Sequence, residues 1–473
     1  MTRLRNLIRA VKSARHLPLL ALLVLTAAQA VAAPEPDFLI ETITVEGLRK
    51  FPPGIIIAKS LLVEGETYNE AELRDANNRV IRLPLILDAE FELRKGTARG
   101  KYELVIKVTE ARRWFFGLGS RYSFWADPIS VSGLDTSSNT EADNFLAGYR
   151  VPVGGDGLFF VTLGGADGTL SLGYTQYDLF SRSVIMSLKV AWSDCADVRE
   201  TSESNQLGED GCATEIFDLG LDPTYSTWTL RGDNFRGRFN LGIPLRGNQS
   251  VRWLSTYRLV KSGLRRPAYR PSLRSAYLFE NEQEIDTSLA WVLNTEDDSI
   301  LPSRGKFIES GLSYRGLQAE MASLLAPAEG FDLDSKELRA YISGRRHWPM
   351  SRKTTLSVGV NAHLGRSRIR NVPLENGDIV SDDLNVWGGG ASLQHGWFLW
   401  QVYNGQPKHP WRRPRWREMR WENRIEVLFG GTSPSFDQLE NPLRGFQISS
   451  GLVFRNTWGV FRIQLSYVDV RGK

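Results

Sequence analysis

The chain has 473 residues, 42% of them apolar, enough to bury a large core and too many for a mostly disordered protein. Its formal charge is +4, from 58 basic and 54 acidic side chains. Five of the basic ones, Arg3, Arg5, Arg9, Lys12 and Arg15, precede the first acid, Glu35, so the remainder is near neutral and lacks the basic surplus of a nucleic-acid binder.

The N-terminal charges are followed by the apolar run "LPLLALLVLTAAQAVAAPEPD", which ends in Ala30-Val31-Ala32, a small-x-small pattern suited to signal peptidase. This predicts an exported chain with residues 1–32 as signal peptide; an uncleaved anchor helix is the alternative. No later run of about eighteen apolar residues follows, which leaves a soluble exported protein or a barrel that hides its membrane face in every second residue.

Residues 38–111 read as strand, helix, helix, strand, strand. "PPGIIIAKSLL" opens with prolines suited to a first helical turn. "YNEAELRDANNRVIRLPLI" carries Leu73, Ala76 and Val80 at helical spacing, with Asn69 as N-cap. In "KYELVIKVTEA", Tyr102, Leu104, Ile106 and Val108 share one face. The expected module is a small α+β domain.

Residues 112–473 change character. Met186, Leu188, Val190 and Trp192 alternate with Ser187, Lys189 and Ala191; Leu356 to Leu364 and Phe461 to Tyr467 alternate in the same way. Trp125, Trp192, Trp400 and Tyr467 close such runs, as an interfacial girdle would. A soluble sandwich shares the period but has shorter strands and fewer aromatic ends. The fold class expected is mostly β, an antiparallel transmembrane barrel of about sixteen strands, with a weak fourteenth strand in 432–441. Longer connections at 126–141, 194–224, 265–283, 316–335 and 366–392 all follow odd strands and are expected outside the cell.

Cys195 and Cys212, the two cysteines of the chain, fall in one polar stretch of this outer set. A disulfide there would stabilise by about 3 kcal/mol in the chain-entropy model; a metal site has no histidine nearby. His16, His347, His363, His395 and His409 stand at no nucleophile or ligand spacing. The reading is therefore a non-enzyme without metal or cofactor. "WRRPRWREMRW", 411–421, interleaves arginine with aromatics and is expected to meet lipid phosphates and headgroups, or to solvate the rim, rather than to bind nucleic acid.

"DDSILPSRGKF" joins two alternating runs. Asp297, Asp298, Pro302, Arg304 and Gly305 compose a tight reversal, with Pro302 fixing one backbone angle and Gly305 free to take a positive one. The whole phrase resembles a turn motif of the outer-membrane assembly and translocation superfamily of the BamA and TamA kind. The order of elements in 38–111, with "ITVEGL" early and "GETY" between the helices, resembles a POTRA domain.

"WGGGASLQHGWFLW" resembles that superfamily's sixth-loop motif, with Gly389 and Gly390, then His395, Gly396 and Trp397. Histidine stands where the family has an arginine, and Glu422 and Glu426 are its candidate lumen partners. The final hairpin resembles the family's sorting strand, here Phe461, Ile463, Leu465 and Tyr467, although the chain runs on to Lys473. The resemblance implies a single-POTRA outer-membrane protein, its POTRA domain in the periplasm receiving client polypeptides by β-augmentation. Clients would pass at a weakly paired seam between 112–125 and 459–469, with other periplasmic or outer-membrane assembly components as further partners. A passive channel or structural barrel is the alternative.

Overall fold

In a computed structural model of the chain the described residues are 37–83, 85–118, 145–164, 169–180, 183–199, 228–245, 248–265, 277–297, 302–323, 330–351, 353–373, 379–401, 418–433, 443–455 and 460–471. The signal-like segment 1–32 and Cys212 lie outside them.

The first unit runs β1 (Asp37–Glu46), α1 (Pro53–Ser60), β2 (Thr67–Asn69), α2 (Glu70–Ile81), β3 (Ile86–Lys95) and β4 (Lys101–Glu110). Pro53 opens α1, and Leu61 in the left-handed region (φ 56°) closes it. Asn69 caps α2 by accepting from the Glu72 amide at 2.9 Å, while Glu72 accepts from the Asn69 amide at 3.1 Å. This reciprocal pair satisfies two amides a helix start otherwise leaves open.

The sheet order is β2-β1-β4-β3, with β1 and β4 parallel and the other pairs antiparallel. Period-two alternation turns Leu104 and Ile106 onto the helices, where they are fully buried with Ile40, Ile55, Ala76 and Val80. Each buried Leu or Ile contributes about 1.5–3 kcal/mol, so Ile106→Asp would break the domain. Among the described residues β3 is paired on one side only.

The second unit is a closed barrel of fifteen strands: β5 (Trp114–Leu118), β6 (Phe145–Val153), β7 (Gly157–Gly164), β8 (Thr169–Leu179), β9 (Val184–Arg199), β10 (Trp228–Pro244), β11 (Gln249–Arg265), β12 (Tyr277–Asn294), β13 (Gly305–Ser323), β14 (Gly330–Pro349), β15 (Thr354–Pro373), β16 (Ile379–Gln401), β17 (Glu418–Ser433), β18 (Leu443–Arg455) and β19 (Val460–Arg471). Neighbours in sequence pair antiparallel throughout, and β19 returns to β5. The large exposed apolar residues, such as Leu289, Leu312, Leu338 and Leu364, stand on the outer wall, with buried polar residues such as Glu309, Ser343 and Ser357 opposite. That is the alternation of a membrane barrel. Among the described residues no helix is long and apolar enough to cross a membrane.

Two expectations are corrected. β17 and β18 are direct neighbours in the barrel, Phe429 pairing with Arg444 and Gly430 with Leu443, so no further strand stands between them in the wall; 434–442, most of the stretch expected to hold it, lies outside the described residues. Among the described residues the count is therefore odd, which makes the closing pair parallel, as β19 and β5 are. Several connections are also shorter than expected, because β9 and β12 to β16 continue into 194–224, 265–283, 316–335 and 366–392. β16 has 23 residues, whereas about 9–11 cross a bilayer. The surplus stands at the rim away from the small domain, called here the far rim.

Candidate functional site at the barrel mouth and seam

The small domain sits on the near rim through both helices. Gly54 at the start of α1 lies so close to the β6–β7 turn that a Cβ there would be 2.8 Å from the Gly155 carbonyl oxygen. Leu158, Tyr177 and Ile185 of the barrel join the same buried cluster as Ile55 and Ile56. At the end of α2, Arg79 donates to Ser60 O at 2.6 Å and to Asn248 Oδ1 at 3.0 Å. Arg82 donates to Asn294 O and Oδ1, each at 3.0 Å, and to Glu296 O at 2.8 Å. The domain thus bridges barrel strands six positions apart. Burial lowers the Arg79 and Arg82 guanidiniums to about 10, which leaves both charged at neutral pH.

The turn after β12 folds into the mouth instead of hanging below it. Asp297 Oδ1 accepts from the amides of Ser303 and Arg304 at 2.9 and 3.1 Å, Oδ2 accepts from Ser303 Oγ at 2.7 Å, and the Asp297 amide donates to Arg304 O. Gly305 has φ +101°, and a Cβ there would meet Thr295 O at 2.2 Å, so glycine is required. Glu296, fully buried, accepts from Arg345 at 2.5 and 2.9 Å and shares a 3.0 Å hydrogen bond with His347 Nε2. Burial alone would raise the Glu296 carboxyl, but Arg345 and the hydrogen bond from His347 outweigh it and hold the group down to about 2.

Arg345 and His347 alternate with Arg346 and Trp348 along β14, so they point inward. From β17, Arg420 reaches Pro302 O at 3.4 Å. The turn therefore spans from β14 to β17 inside the near mouth.

Among the described residues the barrel's closure is its most thinly paired join. Among the described residues β5 and β19 meet at one paired position, Leu118 opposite Phe461, whereas β18 and β19 pair continuously from Arg444–Arg471 to Arg455–Val460.

The remaining sequence-derived site residues separate. Gly389, Gly390, His395, Gly396 and Trp397 lie in β16, paired on both sides, and not in a loop; the connection between β15 and β16 is only 374–378. His395 shares the outward parity of Leu393 and Trp397 and is exposed, so it neither locks to a lumen carboxylate nor points into the lumen. Glu422 and Glu426 do face inward but pair along their own strand, with Arg420 at 3.2 Å and Arg424 at 2.8 Å.

Gly396 has a different role. A Cβ there would be 2.2 Å from Arg420 Nε, and its absence lets Arg420 lie across β16 with its guanidinium 5.4 Å from the Phe398 ring centre. Cys195 stands in β9 opposite Gly232, and its expected partner is outside the described residues, as is Asp298. Phe461, Ile463, Leu465 and Tyr467 pair with Phe454, Leu452, Ser450 and Ile448 in the last hairpin.

Sequence reading missed Arg82, Arg345, His347 and Arg420. The alternation in "GRRHWP" carried a signal for the inward pair, but nothing local marks Arg82.

No family model matches the chain and no curated protein matches it. Among solved structures, BamA from Haemophilus ducreyi lacking POTRA domains 1–3 is similar at 11% identity over 92% of this chain and 85% of that one, with a TM-score of 0.38. CdiB from Escherichia coli is similar at 12% identity over 92% of this chain and 76% of that one, with a TM-score of 0.46. The alcaligin receptor FauA from Bordetella pertussis gives 9% identity, 80% and 61% coverage, and a TM-score of 0.31. Likenesses at these scores carry no argument about function.

Proposed function

We propose that the chain is a single-POTRA outer-membrane protein of the assembly and translocation superfamily, which inserts client polypeptides into the outer membrane or passes them across it. In this reading 1–32 is a cleaved signal, 38–111 is a periplasmic POTRA domain, 112–473 is the barrel, and Cys195 and Cys212 form a disulfide outside the cell.

The observation that carries it is that, among the described residues, a single paired position closes the barrel at β5 and β19. In lipid, backbone N–H and C=O groups must be satisfied within protein, so thinly paired edges favour the addition of a further strand. A sheet edge of the small domain would offer an extended client a first docking place by the same chemistry. A passive channel is the runner-up. The inward contacts of the turn at Glu296 and the domain docked on the near rim favour client handling, since a passive channel needs neither.

The test is quantitative proteomics of outer-membrane and secreted fractions after depletion of the protein. Loss of particular barrel proteins or of one secreted protein supports client handling. Unchanged fractions together with steady conductance of the purified barrel support the channel.

A further inference from the structure

The outer wall of β15 changes abruptly toward the far rim. Its outward row runs Val360, Ala362 and Leu364, with Leu364 52% exposed, and then continues as Arg366, Arg368 and Arg370, all exposed. On β14 the same row runs Ile342, Ala340 and Leu338 and then reaches Lys336. Pairing sets Leu338 beside Arg366, Lys336 beside Arg368 and Asp334 beside Arg370. Four cations on two adjacent strands thus stand directly above the lipid-facing residues Leu338 and Leu364.

Among the described residues, two acids pair with this row. Asp334 takes Lys336 at 2.9 Å, and Asp383 of β16 takes Arg368 at 2.8 and 3.2 Å. Among the described residues Arg366 and Arg370 have no hydrogen bond or ion pair of their own and share only the field of Asp383. Glu320 and Asp332 stand further out, beyond the row of Arg370. Two residues of strand rise about 7 Å along its axis, or about 5 Å in height at a 45° tilt. Arg366 to Arg370 therefore cover roughly 10 Å of height, beginning one step past the apolar belt, at the level of a headgroup layer.

We propose that Lys336, Arg366, Arg368 and Arg370 form a site on the outer wall for the phosphate groups of an acylated, phosphorylated glycolipid of the outer leaflet, whose chains lie over Leu338 and Leu364. Guanidinium forks match phosphate oxygens two at a time. The continuity of the cations with the lipid-facing wall selects a lipid over a free anion. The inference rests on the outer-membrane reading above, with the far rim outside.

The test uses the full-length protein in detergent, with native mass spectrometry counting bound bisphosphorylated lipid A, dephosphorylated lipid A, phosphatidylglycerol and inorganic phosphate. The combined variant Arg366→Gln, Arg368→Gln and Arg370→Gln is compared with the wild type and with Arg346→Gln, which removes an outward cation at the near rim. The expected result is at least tenfold weaker lipid A binding by the triple variant, unchanged binding by Arg346→Gln, and at least tenfold weaker binding of dephosphorylated lipid A and phosphatidylglycerol by the wild type.

Equal lipid A binding by the triple variant and the wild type would overturn the site. Displacement of lipid A by millimolar inorganic phosphate would overturn its assignment to a lipid. Folding of each variant is verified by heat-modifiable gel mobility. Labelling of Lys336→Cys on intact cells with an impermeant maleimide reports the orientation separately, so a reversed barrel and an absent site are distinguishable.

Discussion

Arg82, at the end of α2, donates to the main-chain oxygen of Glu296 at 2.8 Å, while the Glu296 carboxylate is held from inside the barrel by Arg345 at 2.5 Å. One buried residue of the turn thus joins the small domain to the lumen wall, and the consequences for stability and pH follow from the groups around it.

Replacing Arg82 with methionine keeps its bulk and removes the donor it supplies to the main-chain oxygens of Asn294 and Glu296, while Asn294 Oδ1 keeps the Glu296 amide. The expected cost to docking is about 3 kcal/mol. Limited proteolysis between the small domain and the barrel should become markedly faster, with the barrel's heat-modifiable mobility unchanged.

Glu296 also sets a pH window. Its carboxyl is lowered from 4.5 to about 2, so its contribution is fully present above 4.5 and is lost as pH falls toward 2. The magnitude is on the order of 3 kcal/mol relative to a solvated turn. Acidification from pH 7 to 5 should leave the docked domain protected from proteolysis, and protection should fail between 4.5 and 2. Glu296→Gln should weaken docking at neutral pH and abolish that acid transition.

At β16 the two adjacent residues of the loop-like motif should behave oppositely. Gly396→Val places a branched side chain where Arg420 lies, at a cost of about 1–3 kcal/mol, read as a lower temperature of heat modification. His395→Ala, on the exposed outer face, should stay within about 0.5 kcal/mol of the wild type. A large effect of His395→Ala with none at Gly396 would reverse this assignment.

The sequence displayed what period and capping can encode. Asn69 announced α2 because its side chain bonds three residues away, and the alternation from Leu356 to Leu364 announced β15 because one face meets lipid. Beyond Leu364 the outward row turns to arginine, so the alternation of polarity vanishes and the strand's far half reads as loop. The triple glycine and His395 resembled a loop for the same reason, although Leu393, Trp397 and Leu399 share His395's parity and already marked its face as outward. Arg82 and Arg420 stayed hidden because their partners lie 214 and 118 residues away, a separation no local pattern carries.

The seam can be tied shut by Leu118→Cys with Phe461→Cys, the one position among the described residues where β5 and β19 are paired. In cells depleted of the native protein, the oxidised double variant should fail to restore the outer-membrane or secreted proteins lost on depletion. Reduction, or either single substitution, should restore them. Full restoration by the oxidised, cross-linked barrel would contradict passage of clients at the seam.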